Sequence, residues 1–238
     1  MANLAQMKVL EGLDGFLLVD KPVNIPFAGV VKTVKRRFGL LKVGHGGSLD
    51  AQASGLLVLL IGDANKFTDQ VMGGDREYEG EIDVSYVTNT GDAQGAREEA
   101  SGGISAKIDD KDFLKDFKGD IFQTEPRFAA IRKEGTAGYE IVETGEHKQF
   151  LGHVYKLELG AVTSAPDAAD RRSLYLKATK SVLPRALIRD MGATLTSLRR
   201  TKQWKFSVAD AVPFQKVLDC EPSEFPSLVK SIGEALRA

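Results

Sequence analysis

Apolar positions along the chain recur with two different periods, and the switches between them mark out its elements. Residues 15–22, GFLLVDKP, are a short apolar run closed by a Lys-Pro turn, the pattern of a strand. Val31, Val34 and Phe38 then recur at helical spacing with Lys32, Lys35 and Arg36 on other faces, which predicts an amphipathic helix ending near Gly39. The run SGLLVLLIG, residues 54–62, carries no polar residue after its first serine and predicts a buried strand. Asp63 is placed to cap a short helix closed by Gly73 and Gly74. REYEGEIDVSYV, residues 76–87, alternates as a half-buried strand with Tyr78, Ile82, Val84 and Tyr86 in one phase.

The second half is less regular. Residues 88–103, TNTGDAQGAREEASGG, read as a loop whose composition a linker would share. Residues 109–119 predict a helix, 121–142 a strand and loop, and 153–162 and 173–180 two further strands. A helix follows over residues 184–195, with Pro184 at its start, where a missing N–H would be unpaired in any case. WKFSV, residues 204–208, is a last strand before a polar, Pro-punctuated tail. Strands succeed one another through loops instead of alternating strictly with helices. The expected fold is therefore α+β, a mixed and mainly antiparallel sheet flanked by helices.

Length and composition narrow the classes. At 238 residues the chain could hold one large domain or two small ones, and we read it as one domain over residues 1–238. With 42% hydrophobic and 27% charged residues it is an ordinary globular sequence. It has no apolar run of about 20 residues and its start lacks the apolar core of a secretory signal, so the expected compartment is the cytoplasm, with no membrane. The single Cys220 can form no internal disulfide, and His45, His147 and His153 are not at a zinc spacing, so no metal site is expected. A net charge of -1 does not point to nucleic acid. The distribution says more: bases gather in residues 32–42, 170–180 and 198–205, and acids elsewhere. That pattern suits either a basic face with an acidic back or ordinary solvated helix faces.

One polar stretch stands out. VGHGGSLD, residues 43–50, puts a carboxylate, Asp50, between a glycine-rich turn and the most apolar run in the chain. A phosphate cradle would need other glycine spacing and a Lys before a helix, and here the glycines lead into a strand. On spacing alone, Gly44, Gly46 and Gly47 supply turn conformations and Asp50 closes the turn.

The stretch VGHGGSLDAQASGLLVLLIG, however, resembles the signature of the TruB family of tRNA pseudouridine synthases, G-H-T-G-T-L-D-P-x-A-T-G-x-L, whose aspartate is catalytic. GFLLVDKPVNIPF resembles that family's opening block, with Asn24 in place of its glycine, a residue that tolerates left-handed backbone. REYEGEIDVSYVTNTGDAQG, GDIFQTEPRFAAIRKEGTAGYE and PRALIRDMGATLTSLRRTK resemble three further blocks, in the family's order. Together they span residues 13 to 208. Only about 30 residues follow WKFSV, fewer than the RNA-binding PUA domain of many members, so no full PUA domain is expected.

The resemblance implies a cofactor-free isomerase acting on a uridine of the tRNA T loop, conventionally position 55. Such a reaction breaks the N-glycosidic bond, turns the uracil and rejoins it through carbon. It needs a carboxylate at the anomeric side, either to trap C1′ or to stabilise positive charge there. Asp50 is that group by resemblance, with Arg185 as its cationic partner and Tyr78 stacking on the flipped uracil. His45, Ser48, Lys21 and Leu198 fall on substrate-binding or loop-bracing positions. The implied partner is the tRNA T arm, bound by a monomer without an obligatory protein partner. A catalytically weak homologue that binds or folds RNA, or a synthase for another RNA, is the alternative.

Overall fold

In the computed structural model, residues 10, 12–98, 119–124, 132–133, 136–137, 152–164, 170–179 and 182–237 are described. In chain order the elements begin with β1 (Gly15–Lys21), α1 (Phe27–Arg37), β2 (Val43–His45), β3 (Ser54–Ile61), α2 (Thr68–Gly73) and β4 (Arg76–Asp83). Next come β5 (Val87–Thr88), β6 (Arg97–Glu98), β7 (Gly119–Thr124), β8 (Arg132–Lys133), β9 (Thr136–Ala137), β10 (Gly152–Ser164) and β11 (Arg171–Ala178). The chain closes with α3 (Pro184–Asp190), β12 (Thr194–Gln203), β13 (Phe206–Ser207), β14 (Val212–Pro213), α4 (Phe214–Asp219), β15 (Val229–Ser231) and α5 (Ile232–Arg237). They fall into two compact units, Met1–Arg76 with Arg199–Ala238, and Glu77–Leu198.

The first unit is built on β3, whose unbroken apolar run is explained by burial on both faces. β1 pairs antiparallel with β3 along its whole length, from Gly15 opposite Ile61 to Lys21 opposite Gly55. Alternate residues then feed two cores. Leu17, Val19, Leu57 and Leu59 pack with Val30 and Val34 of α1, with Phe38 just after it, and with Phe214 and Val217 of α4. Phe16, Leu18, Leu56 and Val58 pack on the other side with Val71 and Phe206. β12 enters parallel to β3, Arg199 opposite Ser54 and Arg200 opposite Gly55, whereas β2 pairs antiparallel with β3. The second unit orders β12, β4, β11, β10 and β7 side by side, with β10 antiparallel to both β11 and β7. The sheet is mixed and mainly antiparallel with helices against it, an α+β fold as expected.

Two expectations change, and the structure settles a tail that the sequence left open. Asp63 does not cap a helix: residues Gly62–Phe67 form a 3-10 turn before α2, and Asp63 instead pairs with Lys66 at 2.6 Å. The Asp63 N–H is satisfied from far away in sequence, by Asp14 Oδ1 at 2.6 Å. The helix expected to reach residue 195 stops at Asp190, because Gly192 turns left-handed at φ 76° and β12 starts at Thr194. The tail is folded: β14 and β15 both pair with β1, and Phe214, Val217 and Phe225 are core residues. The helix expected over residues 109–119 lies outside the described residues, apart from Gly119, which opens β7.

Candidate active site

Asp50 sits half-buried on the connection between the paired strands β2 and β3. The glycines before it answer to packing. A side chain at Gly44 would meet Asn65, one at Gly46 would meet Val71, and Gly47, at φ 148°, lies under the Arg76 and Gln203 side chains. Gly46 N donates to Val58 O at 2.8 Å, which folds the turn back onto β3.

Two buried cations hold this connection, one at the residue after Asp50 and one at the residues before it. Lys21, at 0% exposure, donates from Nζ to the carbonyls of Pro22, Ile25 and Ala51 at 2.8, 2.9 and 3.2 Å. Ala51, the residue after Asp50, also accepts from Asn24 N at 2.7 Å, and Asn24 takes the left-handed backbone, φ 64°, that its place in the opening block suggests. Arg200, at 1% exposure, donates from Nε to Leu56 O at 2.7 Å, from Nη1 to Ser48 O at 3.0 Å and from Nη2 to Gly47 O at 3.4 Å. One guanidinium thus ties the chain before Asp50 to the strand after it. Gln203 adds a further clasp, its Nε2 donating to Gly46 O and to Val71 O.

The electrostatics follow from that burial. Loss of water pushes the Lys21 ammonium from 10.5 down to about 8; Asp50 opposes the fall and Arg200 adds to it. Burial, and after it the Arg200 charge, also holds His45 below its usual 6.5, against a smaller opposing effect of its bond to Gly47. His45 Nδ1 accepts from Gly47 N at 3.2 Å, and its ring lies 4.8 Å from that of Phe27. A neutral imidazole fixed this way can lie against a base but is a poor cation for phosphate. Ser48 is exposed beside Asp50. Nearby, Arg199 makes a bidentate pair with Asp20 at 2.9 and 2.7 Å.

The remaining residues singled out by sequence lie in the second unit. Tyr78 and Leu198 are buried, on β4 and β12. Arg185, on the first turn of α3, donates to Thr90 O at 3.0 Å and faces Asp92 at 3.7 Å. Asp92 in turn accepts from Thr90 Oγ1 at 2.8 Å and from Gln94 N at 3.1 Å, so the TNTGD loop is ordered around the arginine. Among the described residues no cluster of three His, Cys, Asp or Glu side chains could hold a metal ion. No helix among them is long and apolar enough to cross a membrane.

The family model for the TruB family pseudouridylate synthase N-terminal domain matches residues 35–171. The chain belongs to the TruB family. Among the TruB-family relatives, tRNA pseudouridine synthase B of Gluconacetobacter diazotrophicus is 32% identical over 232 residues, 94% of this chain and 76% of the relative. The protein of that name from Opitutus terrae is 32% identical over 214 residues, 86% of this chain and 87% of the relative. A chain of the solved Cbf5-Nop10-Gar1 complex shares the fold, with a TM-score of 0.66 at 19% identity. That likeness covers 96% of this chain and 63% of the other, so this chain spans less than two thirds of it.

Sequence reasoning stopped short at β12. The block LRRTK points to Leu198 alone, and the sequence sets Arg200 within a basic cluster. The available signal was alternation: Leu198 and Arg200 share one face of a strand, and that face is buried. Arg199 and Arg200 are thus committed to Asp20 and to loop carbonyls, and Arg172 of the middle cluster is buried too.

Proposed function

We propose that the chain is a tRNA pseudouridine synthase that isomerises the T-loop uridine at position 55, with Asp50 as the catalytic carboxylate. The observation that supports it best is the bracing of Asp50's loop, in a TruB-family chain, by the buried Lys21 and Arg200. A carboxylate that must meet C1′ as the glycosidic bond opens gains from being aimed in advance, because the reorganisation is done during folding. In the reaction the N1–C1′ bond breaks, the freed uracil turns, C5 bonds to C1′, the hydrogen on C5 leaves as a proton and N1 takes up a proton from solvent, so that the atoms balance as an isomerisation. Tyr78 supports the flipped base and Arg185 supplies positive charge for the carboxylate. His45, Ser48 and Leu198 line the path of the displaced nucleotides. The relatives named tRNA pseudouridine synthase B support tRNA as the substrate. The enzyme works in the cytoplasm as a monomer on the T arm, without a cofactor.

The test is release of tritium from tRNA, and from its isolated T-arm hairpin, made with uridine tritiated at C5. One label released per tRNA by the wild type, and none by Asp50→Asn, is the expected result. If neither RNA releases label while both proteins bind tRNA, the synthase reading fails and an RNA-binding homologue, or a synthase for another RNA, takes its place.

A further inference from the structure

Between Asp20 and Asp50 the sequence holds no acidic residue, although the chain as a whole has 33 Asp and Glu against 32 Lys and Arg. The same stretch carries Lys21, Lys32, Lys35, Arg36, Arg37 and Lys42, and all but the buried Lys21 are exposed. At about 100° per residue, Lys32, Lys35 and Arg36 share one arc of α1, opposite the buried Val30, Val34 and Phe38. Neighbours three and four apart stand about 5–6 Å from one another, so their charges repel. Among the described residues no carboxylate pairs with Lys32, Lys35, Arg36 or Lys42. In the other two basic clusters Arg172 and Arg200 are buried and Arg199 pairs with Asp20, and of their arginines only Arg171 is exposed without a carboxylate partner among the described residues.

The helix that displays these charges is fixed at both ends. Phe27, its first residue, packs its ring against His45 of the loop that carries Asp50. At the far end Phe38 stacks on Phe225 at 3.7 Å between centroids, and Arg37 Nη2 donates to Cys220 O at 3.1 Å. The basic arc carries no aromatic side chain on which a base could stack, so it suits the sugar-phosphate backbone. We infer that the exposed face of α1, through Lys32, Lys35 and Arg36 and continued by Lys42, binds backbone phosphates of the substrate RNA. The inference rests on the synthase reading for the identity of that RNA. It adds a docking track that starts beside the catalytic loop and makes affinity strongly salt-dependent.

The experiment measures binding of the unmodified T-arm hairpin against KCl concentration, for wild type and for Lys32→Gln/Lys35→Gln/Arg36→Gln. A double variant, Lys66→Gln/Lys216→Gln, removes exposed charge elsewhere and serves as the control. Each lost phosphate contact lowers the slope of log affinity against log salt by about 0.7–0.9, so the triple variant loses about 2–3 from it and the control keeps it. A thermal midpoint near that of the wild type shows the triple variant folded. An unchanged slope in the folded triple variant overturns the inference. So does an equal loss per charge in the control. Loss of binding to polyglutamate with hairpin binding intact would also overturn it, in favour of an acidic protein. Tritium release by the wild type separates the two readings. Release with an α1-independent slope leaves the synthase and removes the docking face, and an α1-dependent slope without release does the reverse.

Discussion

Replacing Lys21 by methionine tests whether the D-K-P turn holds the catalytic loop through a charged group kept out of water. The methionine fills a similar volume, but Pro22 O and Ile25 O lose the Nζ donor at 2.8 and 2.9 Å, and Ala51 O keeps only Asn24 N. Hydrogen bonds from a charged donor contribute about 1.5–3 kcal/mol each. Against them stands the cost of burying the ammonium. The gap between 10.5 and about 8 is worth about 3 kcal/mol at 1.36 kcal/mol per pH unit. The net loss at pH 7 is therefore about 1–6 kcal/mol. The pH dependence is the sharper readout. Between about pH 8 and 10.5 the unfolded chain binds a proton at Lys21 that the folded one has released. Stability of the wild type relative to Lys21→Met therefore rises with pH across that window, by up to about 3 kcal/mol, and is level below it. Urea unfolding of both proteins at half-unit steps from pH 6.5 to 10 measures the difference directly. A difference that stays flat with pH would refute the reasoning, because Lys21 would then titrate in the fold as it does in water.

Three further outcomes follow from the same loop. Arg200→Met removes the donors to Leu56 O and Ser48 O at 2.7 and 3.0 Å, so urea unfolding should show a loss of about 3 kcal/mol or more; an unchanged midpoint would contradict the clasp. Gly55→Ala forces a side chain onto backbone at φ 98° and into the Arg200 main chain, and should cost about 2 kcal/mol or more by the same measurement. His45 should titrate below 6.5 in an NMR experiment. Since the unfolded chain is protonated first on acidification, His45 lowers stability as pH falls through 6.5, and a midpoint at or above that value would rule this out.

Legibility varied with how local the cause was. β1, α1 and β3 could be placed from periodicity because each buries its own apolar face, and β3 shows no alternation because both of its faces are covered. Asp63 misled because its N–H finds Asp14, 49 residues away, and its own side chain turns to Lys66. The tail was illegible for a related reason. β14 and β15 are two and three residues long, too short to show a period, and they exist only because β1 offers them an edge.

For the site, the chain's own order of residues determined the family blocks, the carboxylate at Asp50 and the glycines that precede it, because these depend on residue type at fixed spacing. The tertiary structure alone decided what holds Asp50's loop. Arg200 lies 150 residues further on, in a run that reads as exposed base; alternation along β12 sets it on the same face as Leu198, but nothing local shows which acceptors it meets there. Parallel pairing of β12 with β3 sets Arg200 opposite Gly55, and that register brings the guanidinium to the carbonyls of residues 47, 48 and 56. A buried charge is stable only where such acceptors converge, and convergence is a property of strand pairing and not of sequence spacing.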